Sequence, residues 1–130
     1  MTGRRATYVL LAVGTIAVGL LVHRSGIGLA PAPRDILGDV LWAMMIYWWI
    51  GVFAPALTVR FRAGAALAIC FAVEASQLLH TPALDAVRNN SIGHLFLGSG
   101  FDPRDFAAYS AGVVVAVILE RFLVPFRPRA

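Results

Sequence analysis

Four apolar stretches follow one another along the chain, separated by short polar connections. Ala6–Val22 carries no charge. Ile36–Leu57 is interrupted only by Asp39 and Ala63–Leu79 only by Glu74, while Pro103–Val124 has Arg104 and Asp105 at one end and Glu120 and Arg121 near the other. A hydrocarbon layer of ~30 Å takes ~20 apolar helical residues at ~1.5 Å each. Lipid offers no partner to an open backbone, so each stretch must be helical. The pattern predicts an all-α fold, a four-helix transmembrane bundle with spans at about 6–22, 36–57, 63–79 and 103–124. Residues 1–130 then form a single integral membrane domain with a long outer loop between the third and fourth spans.

Local chemistry supports these starts. Asp102 is placed to cap the last helix, with Pro103 at its first position and Asp105 beside the positive end of the helix dipole. Pro33-Arg34-Asp35 repeats that tripeptide before the second span, either as independent helix-start chemistry or as the mark of a duplicated unit. In the outer loop, Thr81-Pro82 reads as a cap and first residue of a short helix through Arg88, ended by Asn89 and Asn90. Ile92–Gly98 is apolar enough to lie in the interface or to tuck back between helices, and His94 within it reads as a solvated loop histidine. The first span has a plainer alternative as a secretory signal, but its apolar run is longer than a usual signal core.

Composition narrows the class. The 130 residues are 59% apolar and 14% charged, with a mean hydropathy of +0.77; a soluble domain is nearer half apolar and a quarter charged. The eleven basic residues are all Arg and lie scattered between apolar runs, which argues against nucleic acid despite the net charge of +4. The single cysteine, Cys70, excludes an intrachain disulfide and a Cys-rich metal site, and its mid-span position reads as packing. No histidine pair has metal-ligand spacing, so neither a metal nor another cofactor is expected. Phosphate-loop, nucleophile-elbow and dinucleotide fingerprints are absent.

Four crossings would put Arg4, Arg5, Arg60, Arg62, Arg121, Arg127 and Arg129 on one side and Arg24, Arg34, Arg88 and Arg104 on the other. That bias predicts an inner-membrane protein with both termini in the cytoplasm. Tyr47, Trp48 and Trp49 would then lie near the inner interface as anchors. Gly64, Ala68, Ala72 and Ser76 in the third span, and Ala108, Gly112 and Ala116 in the fourth, form ladders of small residues through which these two helices are expected to pack.

The polar residues within the spans require explanation. A carboxylate at the depth of Glu74 needs a partner or water. Gln77 lies on its face three residues on, and Asp39 comes to a similar depth in the outer half. Asp39, Glu74, Gln77, Arg88 and Asp105 are expected to converge on one outward pocket, with Arg88 folding back as cationic partner and Arg34 and Arg104 as further anion donors. If the pocket is catalytic, Glu74 or Asp39 is the candidate base and His80 the candidate acid.

In order along the chain, Gly38–Ala43 with Tyr47, Glu74–His80, Leu84–Arg88, and Asp105 through Tyr109 to Gly112 resemble the bacterial domain-of-unknown-function family numbered 2809. The resemblance covers about Ala6 to Leu123, and Glu74-Ala75-Ser76-Gln77-Leu78 is its most specific block. More distantly the pattern is similar to the VanZ-like family, associated with glycopeptide (teicoplanin) resistance. There an early acid, a Glu-x-x-Gln block and a late aspartate with a downstream glycine correspond to Asp39 or Asp35, to Glu74 with Gln77, and to Asp105 with Gly112. Tyr109 stands nearest to the place where that family often has Asn. These likenesses imply a small membrane protein of the bacterial cell envelope. Its expected partners are the lipid bilayer and an anionic lipid or lipoglycopeptide-like ligand. A membrane enzyme acting on a lipid-linked phosphate, a purely structural accessory protein and an ion pathway are the alternatives, the last disfavoured by an inner half with only Glu120 and Arg121 at its edge.

Overall fold

The structure, a computed structural model, describes residues 3–25, 28–93 and 100–124. His94 and most of the apolar loop stretch lie outside the described residues. The described elements are helical: α1 (Gly3–Ser25), α2 (Pro31–Phe53), α3 (Val59–Ser76), α4 (Pro82–Arg88) and α5 (Arg104–Leu123). α2 is central and touches α1, α3 and α5, and α3 also packs on α5. Pairing of Asp39 with Asp105 and of Tyr47 with Glu120 shows that α2 and α5 start at the same end of the bundle. Contacts of Glu74 with Tyr109 and of Arg62 with Glu120 show that α3 runs the opposite way.

Among the described residues three helices, α1, α2 and α5, are long and apolar enough to cross a membrane. α3, the third expected span, is too charged to count with them because it starts at Val59 rather than Ala63. It thereby takes in Arg60 and Arg62 in addition to Glu74. Thr58 sets that start, its side chain accepting from the Phe61 amide at 3.4 Å. α2 also begins earlier than the apolar run, at Pro31, because prolines are tolerated in a first turn whose N–H groups have no intrahelical partner. α4 follows the expected Pro82–Arg88, with Thr81 accepting from the Leu84 amide at 3.2 Å.

The core is built from Tyr8 and Ala12 of α1, Ala43, Tyr47 and Trp48 of α2, Ala66 and Cys70 of α3, and Tyr109, Val113 and Ala116 of α5. Tyr47 and Trp48 are fully buried and meet edge to face at 5.2 Å. They are therefore core residues and not interface anchors, because α2 is covered by three neighbours at that level.

The two ladders behave differently. On α5, Ala108, Gly112 and Ala116 are buried. Gly112 lies against α2, where a Cβ would stand 2.3 Å from the Val40 carbonyl oxygen and 3.0 Å from the Ala43 Cβ. On α3, Gly64, Ala68 and Ala72 face outward, and the buried stripe is Arg62, Ala66, Cys70 and Glu74. α3 does pack on α5, but through this polar-ended stripe, because it brings Arg62 onto Glu120 and Glu74 onto Tyr109, partners that charged groups facing lipid would lack. Gly112→Ala is expected to destabilise the bundle by ~1–3 kcal/mol, since the clashing atom is backbone. An unchanged midpoint of thermal unfolding in detergent would show that α2 and α5 can separate at no cost.

Candidate functional site

α2, α3 and α5 place their acids at the end of the bundle where α2 and α5 begin. Glu74 is fully buried. Its Oε1 accepts from the Asp102 backbone amide at 2.8 Å, and its Oε2 accepts from the Tyr109 hydroxyl at 2.9 Å and from Gln77 Nε2 at 3.4 Å. Three neutral donors thus satisfy the carboxyl group without an arginine. Tyr109 is one helical turn beyond Asp105 and shares its face. The carboxyl groups of Asp39 and Asp105 are in side-chain hydrogen-bond contact, and Glu74 is near enough to act electrostatically on both. Asp102 accepts from Arg104 through its backbone amide at 2.9 Å and its guanidinium at 2.9 and 3.2 Å. This pairing holds the Asp102 carboxyl below the ordinary aspartate value.

A cleft of about 850 Å³ opens beside this cluster, between α1, α2 and the start of α5. Arg34, Asp39, Gln77 and Asp105 line it together, with Asp35, Asp102 and Tyr109. Glu74 stands behind Gln77 and Tyr109. Polarity changes along the wall: on α2 the lining runs from Arg34, Asp35 and Asp39 to Leu41, Trp42, Met45, Ile46 and Trp49, and α1 adds Ile16 and Leu20 opposite. From Arg34 to Trp49 the helix rises ~22 Å. Gly38 contributes no side chain, and a Cβ there would meet nothing within 4 Å.

Three of the residues put forward from the sequence are placed elsewhere. Arg88 is buried, but not against Glu74: it donates to the carbonyls of Ser76 at 2.6 Å and Leu79 at 2.7 Å, closing the C-terminal end of α3. The local reason is that four backbone carbonyls at a helix end lack partners, and α4 folds back far enough to supply them. Arg104 is exposed and engaged with Asp102. His80 is exposed, 3.5 Å from Asp85 and away from the cleft. Among the described residues no group of His, Cys, Asp and Glu is arranged to hold a metal ion.

A second buried cluster occupies the opposite end. Arg62 is fully buried and donates through Nη1 to both oxygens of Glu120, at 2.6 and 2.7 Å, and through Nη2 to the Leu57 carbonyl at 2.9 Å. The Tyr8 hydroxyl donates to Glu120 at 2.6 Å, and the Tyr47 hydroxyl donates to its other oxygen. Both rings also lie against the guanidinium, with centroids at 4.8 and 5.5 Å. Arg4 reaches to 4.0 Å from Glu120. The sequence had suggested a loop charge and an edge acid here. Arg62 and Glu120 are far apart in the chain, and no local spacing pairs them; the available signal was the fourfold repeat of Arg62, Ala66, Cys70 and Glu74 on one helix face.

The architecture defines a small all-helical protein of membrane type, with an acid-lined cleft at one end and a buried ion pair at the other. Residues 29–113 match the family described as Protein of unknown function (DUF2809), and the chain belongs to it. That match takes in the whole cleft-forming part of α2, α3 and α5 and leaves out Glu120. No solved structure matches the chain.

Proposed function

We propose that this is an integral membrane protein of the bacterial cell envelope that holds an amphiphile in the cleft, with the polar head at the acidic end and the chain along the apolar wall. The change from charged to apolar lining along a single helix carries this reading, because it matches a molecule with one wet end and one oily end. Mass spectrometry of the protein gently extracted with its own lipids is expected to show a retained amphiphile. Extraction of the protein free of any amphiphile would overturn the reading.

In this reading α3 crosses the membrane as a fourth span, its charges turned inward and paired, and both termini are cytoplasmic in the inner membrane. The excess of arginines on the terminal side supports that orientation even with Arg62 consumed in the ion pair. A reporter fused after Ala130 is expected to read as cytoplasmic, and an extracytoplasmic signal would reverse the topology. The distant VanZ-like resemblance supports an envelope role. Among the described residues lining the cleft none is paired as a nucleophile with its base, so binding is the chemistry the site supports best.

A further inference from the structure

The cleft has a sign as well as a shape. Its lining acids, Asp35, Asp39, Asp102 and Asp105, outnumber its cations, and Asp102 is already engaged by Arg104. Among the described residues no arginine stands within ion-pair distance of Asp39 or Asp105. Beside them Gln77 lines the cleft, only 6% exposed, and its Oε1 has no hydrogen-bond partner. The orientation of that amide is fixed, because its Nε2 donates to Glu74 and the reverse placement would set a carbonyl oxygen against a carboxylate. A buried acceptor without a donor costs free energy comparable to a lost hydrogen bond. The hydrogen-bonded Asp39–Asp105 pair shares one proton between its two carboxyls and so carries a single negative charge. Its remaining oxygen lone pairs and the orphan carbonyl are acceptors, and the group that completes them must bring donors. An ammonium brings three donors and a compact positive charge. Arg34, on the same wall and without a partner among the described residues, offers the complementary group, a planar cation suited to a phosphate.

We propose that the cleft takes a zwitterionic aminophosphate head, its primary ammonium among Asp39, Asp105 and Gln77 and its phosphate on Arg34. The proposal rests on the amphiphile reading above and adds the identity of the head. Trp42 and Trp49 line the cleft and report its occupancy. The test is a tryptophan-fluorescence titration of the full chain in detergent with short-chain phosphatidylethanolamine, phosphatidylglycerol and, separately, water-soluble phosphoethanolamine. Phosphatidylethanolamine is expected to give a saturable change at least tenfold tighter than phosphatidylglycerol. Asp39→Asn should weaken it tenfold or more. Arg34→Gln, at the mouth where folding is not at stake, should weaken it as well. Equal or tighter binding of phosphatidylglycerol, or unchanged binding by both variants, would overturn the head assignment and leave the amphiphile reading standing. Free phosphoethanolamine binding as tightly as the lipid would keep the head and overturn the amphiphile. No saturable response to any of the three would overturn both.

Discussion

Arg62→Met is expected to destabilise the protein by about 3–5 kcal/mol, the loss typical of removing one partner from a buried ion pair. The variant keeps the length and apolar stem of the side chain, so the cost arises from Glu120, which would stay buried with only the partly exposed Arg4, at 4.0 Å, to offset its charge. Two tyrosine hydroxyls would remain on that carboxylate, too few to replace a guanidinium that donates to both oxygens. The Leu57 carbonyl would lose its donor as well. Adding Glu120→Gln removes the stranded charge while retaining an acceptor for a tyrosine, so the double variant should recover much of the loss. That non-additivity, measured by denaturation of the four proteins in detergent, is the signature of a coupled pair. A single Arg62→Met variant within ~0.5 kcal/mol of the parent would mean that the ion pair contributes no net stability.

The all-helical class and the start of α4 were readable because their causes are local: Thr81 acts on the Leu84 amide three residues on, and the apolar runs are long enough to outweigh ambiguity in their ends. The Asp102 start was displaced by one residue, with Pro103 in the cap position and α5 beginning at Arg104, and the Thr58 cap was missed because it lies before the apolar run. The sign of the cleft was not readable, because it depends on which arginines are already engaged. Arg88 and Arg104 satisfy a helix end and a neighbouring acid, demands that come from the turns around them and that hydropathy does not register. The anion-binding site expected from three arginines accordingly reduces to Arg34 beside a set of acceptors. Arg62 illustrates the same limit from the other side. Hydropathy placed it outside a span, whereas the Thr58 cap started α3 early and turned it inward onto an acid from the last helix. Asp39 and Glu74 were legible because each is an isolated charge in an apolar run, and Asp105 joins them from the first turn of the last helix at comparable depth, which follows directly from residue count.

Glu74→Gln should fold almost normally yet alter the cleft, and the reason lies in which oxygen does what. Oε1 serves the Asp102 backbone amide, so a glutamine at 74 must keep its carbonyl there and place its NH₂ where Oε2 stood. The Tyr109 hydroxyl can rotate to accept from that NH₂, because a hydroxyl is both donor and acceptor. Gln77 cannot adapt so simply: its own NH₂ would face another donor, and the amide is expected to turn over. Its oxygen would then accept from residue 74 and its NH₂ would enter the cleft, replacing the orphan acceptor with a donor beside the proposed ammonium. The expected result is a thermal midpoint near the parent's with phosphatidylethanolamine binding weakened at least tenfold. Glu74→Leu has the same approximate size but strands the Asp102 amide, the Tyr109 hydroxyl and Gln77. It should lose at least ~2 kcal/mol, since each buried orphan costs ~1–3 kcal/mol. Undiminished lipid binding by Glu74→Gln would remove Gln77 from the head site, and unfolding of that variant would show that the bundle needs the carboxylate itself.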